Sequence, residues 1–143
     1  MSAATSLVGR RGEPYVLPVE AGKIAEFARA VRDRDSVAAD MAPPTFLAYA
    51  ASAYETLDLL EVGDFDLERV LHGEQEYEFR RPLQAGDRLS MVSEVVADET
   101  KQGRRGGSMR RVVLETTAHD EATGELVAIA RSTLIELGGR GDG

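Results

Sequence analysis

The sequence predicts an α+β fold, with helices first and an antiparallel sheet after them. Apolar residues recur with a helical period before about residue 60, and with a period of two between residues 74 and 137. Helical and strand-like stretches are segregated along the chain instead of alternating, so the sheet is expected to be a meander of successive hairpins. The 143 residues suffice for one domain and fall short of two, and no repeat or linker divides them. Residues 14–137 are expected to form that domain, with residues 1–13 and 138–143 as flexible tails.

Residues 15–19 read as a short edge strand or an extended lead-in, because Pro18 cannot donate to a ladder. A helix follows, in which Ile24, Phe27, Ala28 and Val31 form one apolar stripe. The polar run from Arg32 to Ser36 ends or frays it. A second helix is predicted from Pro43-Pro44-Thr45, where proline suits the first turn and Thr45 can cap. It runs through Phe46, Leu47, Tyr49, Ala50, Tyr54 and Leu57, with so few charges that burial is expected. After Gly63 the period changes: Gln75, Tyr77 and Phe79 alternate with Glu74, Glu76 and Glu78, which places the carboxylates on an outer face. Residues 82–87 read as a turn, and Leu89, Met91, Ser93 and Val95 make the next strand. The glycine-rich residues 103–107 form a hairpin loop, Val112 to Ala118 a strand, residues 120–124 a turn and residues 126–137 a long last strand.

Composition excludes several classes of function. Seventeen basic against twenty-five acidic residues leave a net charge of −8, so nucleic acid and anionic membrane are not expected partners. The absence of cysteine rules out disulfides and thiol chemistry, and two histidines leave little for a zinc site; no metal or cofactor is expected. The apolar runs are far short of a membrane span, and the first residues lack the order of a signal peptide, so a cytoplasmic chain is expected. No phosphate-binding loop, dinucleotide fingerprint, nucleophile elbow or HExxH motif is present.

Two segments are specific when taken together: Ala42-Pro43-Pro44-Thr45-Phe46, and the run from Leu71-His72-Gly73-Glu74-Gln75 through Arg81-Pro82-Leu83-Gln84-Ala85-Gly86-Asp87. They resemble the MaoC-like dehydratase superfamily, in its N-terminal-domain branch of FAS1-like, HadA/HadC-type dehydratase subunits. The resemblance implies a single hot-dog fold, a long central helix over about residues 45–60 wrapped by a curved antiparallel sheet. It also implies elimination of water from (3R)-3-hydroxyacyl thioesters, or the reverse hydration. That chemistry needs a base for the Cα proton, an acid for the departing hydroxyl and donors for the thioester oxygen. Catalytic members supply acid and base from an Asp-x-Asn-Pro-x-His loop, and hold the thioester at the start of the central helix.

The matching stretch here is Asp33-Arg34-Asp35-Ser36-Val37-Ala38. Asp33 matches, but Asp35 stands for Asn, Ser36 for Pro and Ala38 for His, and alanine moves no proton. Asp33 alone reads as a solvated loop carboxylate. The resemblance therefore implies an accessory, acyl-chain-binding subunit whose acid and base come from a catalytic MaoC-like hot-dog partner. Pro44, Thr45, Phe46, Leu47 and Tyr49 on the helix, with Tyr77 and Phe79 on the facing strand, are the candidate substrate-binding residues, though any of them could simply fill the core. The alternatives are a homodimeric hydratase or thioesterase using His72 or Glu55, and an acyl-thioester binding module that is not an enzyme. His72 is read as fixing the start of a strand, and Glu55 as pairing with an arginine or lying exposed at the end of the helix. The thioester could be carried on coenzyme A or on an acyl carrier protein.

Overall fold

The computed structural model describes residues 5–38, 40–102, 104 and 107–138. The elements run β1 (Tyr15–Pro18), α1 (Ala21–Val31), α2 (Arg34–Ala38), α3 (Leu47–Tyr54), α4 (Leu59–Val62), β2 (Val70–Phe79), β3 (Arg88–Gln102), β4 (Ser108–Asp120) and β5 (Leu126–Leu137). The fold is α+β, with one curved antiparallel sheet in the order β1-β3-β4-β5-β2. Residues 1–4 and 139–143 of the expected tails lie outside the described residues, as do Gly103, Arg105 and Gly106 of the hairpin loop.

Only β3, β4 and β5 form the expected meander. β2 does not pair with β3 across the turn at residues 82–87; it crosses to the far edge and pairs with β5. That turn leads from the β2 edge of the sheet to β3, which lies between β1 and β4, and is fastened by charge. Arg81 donates to Asp87 at 2.8 Å and to Asp120, the last residue of β4, at 3.0 Å. Asp87 also accepts the Gln84 N–H at 2.8 Å.

One face of the sheet carries Leu89, Met91, Ser93 and Val95 from β3, facing Ala118, Thr116 and Leu114 of β4 and, beyond them, Ala128, Ala130 and Ser132 of β5. Leu47 and Ala50 of α3 pack there in a core cluster with Phe46, Leu17, Met91 and Ala118. A second cluster gathers Leu7, Leu57, Leu59, Phe65, Val95 and Val112.

The central helix is shorter than expected. α3 spans eight residues, Leu47 to Tyr54, and the chain is extended at Glu55, with ψ 128°. Glu55 ends the helix with its own carboxylate: Oε1 accepts the Thr56 and Leu57 N–H groups at 3.1 Å each, and Oε2 accepts the Ser93 hydroxyl at 2.5 Å. The extended segment carries Leu57 into the second cluster, and Asp58 caps the short α4 by accepting the Glu61 N–H. Nor is α3 buried all round, for Ala48, Ala51, Ser52 and Ala53 form an exposed face.

The expected N-terminal tail is in part a built element. The Gly9 and Gly12 N–H groups donate to the Val95 and Ser93 carbonyls of β3, at 2.9 and 3.0 Å. Leu7 is buried, and its N–H donates to Asp98 at 2.9 Å. The Asp98 carboxylate also holds Arg110, which donates to the Gly63 carbonyl and lies 4.8 Å over the Phe65 ring.

Candidate functional site

After α1 the chain makes one left-handed residue, Arg32 with φ 59°, and enters the five-residue α2. Asp33 is not a free loop carboxylate. Its Oδ1 accepts the Ser36 N–H at 3.0 Å and its Oδ2 the Ser36 hydroxyl at 2.7 Å, so it caps α2. The Ser36 hydroxyl and backbone hydrogen bonds hold the Asp33 carboxyl below the ordinary range of an aspartate. A residue so placed gives up its proton too readily to store one for a leaving hydroxyl at neutral pH. An open groove of about 540 Å³ lies beside it, lined by Ala25, Ala28, Arg29, Arg32 and Arg34 as well as Asp33, with no imidazole among them.

A smaller cavity of about 110 Å³ lies between α3 and the sheet. Leu47, Ala48, Ala51 and Glu55 line it from the helix side, and Gln75, Tyr77, Thr116 and Ser132 from the sheet side. Tyr15 closes it further, its hydroxyl held protonated by burial and then by the nearby Glu55 charge. Polar groups concentrate on this side. Ser93, 1% exposed, bonds both Glu55 and Thr116, the latter at 2.7 Å. Glu55 thus meets a hydroxyl and two backbone amides, not the arginine or open solvent expected for it.

His72 reaches the same face through a change of register. β2 slips by one residue against β5 at Gly73, so that His72 pairs with Leu134, and Glu74 with Thr133. The bulge turns His72 toward the side of Gln75 and Tyr77, away from Glu74 and Glu76. Its Nε2 lies 3.2 Å from both Gln75 Oε1 and Ser132 Oγ. Glu76 and Glu78 stand on the outer face, each 3.4 Å from Arg131. The structure does not bring Asp33 and His72 together, and neither hydrogen-bonds Glu55 among the described residues.

The candidate substrate-binding residues divide. Leu47 and Tyr77 line the cavity. Phe46 is wholly buried, its ring 5.7 Å from that of Phe27 and 5.5 Å from that of Tyr49. Tyr49 faces α1, with Lys23 Nζ 5.4 Å over its ring, and Phe79 packs on Tyr77 and the first core cluster. Pro44 and Thr45 are exposed in the turn before α3, where the Phe46 and Ala48 amides already donate to the Pro43 and Thr45 carbonyls. The sequence alone did not single out Gln75, Ser93, Thr116 or Ser132 as site residues. Their one signal was polarity at inward positions of otherwise apolar strands.

Among the described residues no cluster of three or more histidine, aspartate and glutamate side chains could hold a metal ion. Among them, too, no helix is long and apolar enough to cross a membrane.

Residues 6–130 match the family model described as FAS1-like, dehydratase domain region. A UPF0336 protein of Saccharopolyspora erythraea is 35% identical over 147 residues, covering 93% of this chain and 90% of that protein. A chain of the Mycobacterium tuberculosis HadBC (3R-hydroxyacyl-ACP dehydratase) complex superposes with a TM-score of 0.70 at 26% identity, covering 91% of this chain and 98% of that one. A MaoC-like dehydratase superposes with a TM-score of 0.73, also at 26% identity, covering 92% of this chain and 42% of that longer one.

Proposed function

We propose, from the premise that this chain belongs to the FAS1-like dehydratase family of hot-dog proteins, that it is the non-catalytic, acyl-chain-binding subunit of a (3R)-3-hydroxyacyl-thioester dehydratase. The observation that carries this reading is the Asp33–Ser36 cap. In the catalytic pattern a proline, with no N–H to give, stands where Ser36 stands here. Ser36 supplies both an N–H and a hydroxyl, and the two occupy both oxygens of Asp33. The carboxylate is spent on starting α2, and Ala38 offers no imidazole beside it.

Dehydration removes the Cα proton to a base, forms the C2–C3 double bond with that electron pair, and releases the C3 hydroxyl as water after an acid protonates it. A partner hot-dog chain would supply both groups, and the cavity under α3 would take the acyl group, carried on coenzyme A or on an acyl carrier protein. The HadBC relative is itself a complex, and this chain has a surface suited to one. β2 is an edge strand with Leu71 53% exposed, and its Gln75 and Tyr77 line one cavity with Ala48 and Ala51 of α3. An open edge of that length invites pairing with another strand. A heterotypic dimer is proposed in the cell, in the cytoplasm, and a homotypic one when the chain is alone.

His72 on this reading is structural, since its ring nitrogen contacts an amide and a hydroxyl, and among the described residues no carboxylate hydrogen-bonds it. Glu55 likewise has no imidazole or arginine hydrogen-bonded to it among the described residues, its partners being two amides and the Ser93 hydroxyl. The test is hydration of a short enoyl thioester by wild type and His72→Ala, each with and without a partner carrying the Asp-x-Asn-Pro-x-His loop. Neither variant should act alone, and both should act with the partner. A missing general base typically costs about 10²–10⁴ in rate, so brisk turnover by wild type alone that His72→Ala abolishes would overturn the reading.

A further inference from the structure

We infer that the cavity between α3 and the sheet selects a short acyl chain bearing a hydroxyl at its far end, and that Glu55 and Thr116 are the selecting groups. The inference rests on the reading of this chain as an acyl-binding subunit. The cavity holds about 110 Å³, room for roughly four water-sized groups at about 30 Å³ each. A long saturated tail does not fit. The opening lies between the exposed Ala48 and Ala51 of α3 and the side chains of Gln75 and Tyr77 on the edge strand β2.

Proton bookkeeping gives the polar wall a direction. Ser93 has one hydroxyl proton and donates it to Glu55 Oε2 at 2.5 Å. The Ser93 oxygen must therefore accept at its 2.7 Å contact with Thr116, which spends the single proton of Thr116. Both Glu55 and Thr116 line the cavity, and each then has only lone pairs left to offer a guest. A guest that carries a donor satisfies them. A methyl end instead strips water from a carboxylate and a hydroxyl and returns no hydrogen bond. The neutral Tyr15 hydroxyl, lining the same cavity, can donate to the oxygen of the incoming hydroxyl. The Thr56 and Leu57 amides at the end of α3 take only Oε1 of Glu55. The Oε2–Ser93–Thr116 relay is additional to that, and the relay is what makes the wall an acceptor.

Three hydrolysis-proof thioethers of pantetheine probe this in the ¹⁵N-labelled chain: S-butyl, S-(4-hydroxybutyl) and S-octyl. The hydroxybutyl compound should shift the Ala51 and Thr116 amides and bind roughly tenfold tighter than the butyl one, the factor that one hydrogen bond to a charged acceptor supplies. The octyl compound should not saturate these shifts. Thr116→Val, close in shape, should abolish the preference for hydroxybutyl while butyl binding persists. Glu55→Gln, which keeps an oxygen for the two amides, should reduce the preference in the same way. Octyl binding at the same amides as tightly as hydroxybutyl would overturn the selection and leave the acyl-binding reading standing. If no probe shifts the cavity amides, the acyl-binding reading falls, and this inference falls with it.

Discussion

Replacing Arg110 by methionine should cost about 3 kcal/mol, because this one guanidinium ties the segment after α4 to Asp98 at the end of the sheet. It donates to both oxygens of Asp98 at 3.1 Å, donates to the Gly63 carbonyl at 2.6 Å, and covers the Phe65 ring at 4.8 Å. The side chains of Asp98 and Arg110 are only 8% and 18% exposed, so water screens the pair little. Without Arg110 the Asp98 carboxylate keeps the Leu7 N–H, and the Gly63 carbonyl loses the donor it had. Breaking a buried pair by removing one partner typically costs about 3–5 kcal/mol. The lower end applies here, since methionine retains part of the packing and the pair sits at the sheet's end. For a domain of this length the loss corresponds to roughly 10 °C in Tm.

The pH dependence follows from the same contacts. Hydrogen bonds from Arg110, and then the Leu7 N–H, hold the Asp98 carboxyl below its ordinary range. Its folded pKa therefore lies below its unfolded value of about 3.9. The stabilisation is fully present above that value and is lost as pH falls through the lower, folded one. Urea unfolding followed by circular dichroism should show the full difference between wild type and Arg110→Met at pH 7, shrinking below about pH 4. Adding Asp98→Leu to Arg110→Met should recover more than half of the loss, since no buried charge is then left unpaired. A penalty under about 1 kcal/mol at pH 7, or one constant from pH 7 to pH 3, would refute this account of the pair.

Phe46→Ala should destabilise by about 3–5 kcal/mol, because it empties a wholly buried site between Phe27 and Tyr49. A folded, stable variant that loses only activity on longer acyl chains would instead make Phe46 part of a channel wall. Asp87→Ala removes the acceptor shared by Arg81 and the Gln84 N–H and should cost about 1–2 kcal/mol in urea unfolding; an unchanged midpoint would show that the turn holds without it. Gly73→Val should lower Tm, because a Cβ at residue 73 would meet Ile135 Cδ1 at 2.6 Å. It should also shift the His72 ring resonances, and an unperturbed ring would mean that the bulge does not depend on glycine.

Part of the second family segment serves the fold. Arg81, Asp87 and Gly86, the last with φ +94°, build and fasten the turn that carries the chain from the edge strand β2 across to β3. The features that bear on function were partly legible beside them. Ala38, where the resemblance places a histidine, could be read from sequence, but the capture of Asp33 by Ser36 required coordinates.

Period and turn chemistry, read locally, were enough for the helices-then-strands order, β5 at residues 126–137 and the α1 stripe through Ile24 and Ala28, while Val31 at its end is 46% exposed. Such patterns work because each residue's face depends on its immediate neighbours. Three register shifts break that dependence, and two of them redirect His72 and Asp98. At Gly73 the slip turns His72 to the cavity side, and at the slip between Val95 and Ala97 it turns Asp98 to the side of Val112 and Arg110. One inserted residue reverses the facing of those beyond it, and strict alternation has no means of registering it. Strand order was beyond local reading for a similar reason. β2 and β3 are neighbours in sequence, yet closing the sheet around α3 places them at different positions, with β2 against β5. The end of α3 was decided at greater range still. Ser93 lies 38 residues from Glu55, and its hydroxyl holds one oxygen of the carboxylate whose other oxygen takes the Thr56 and Leu57 amides. Those bonds, with burial of Leu57 in the second core cluster, outweigh the helical propensity of a segment whose own sequence would have continued as helix.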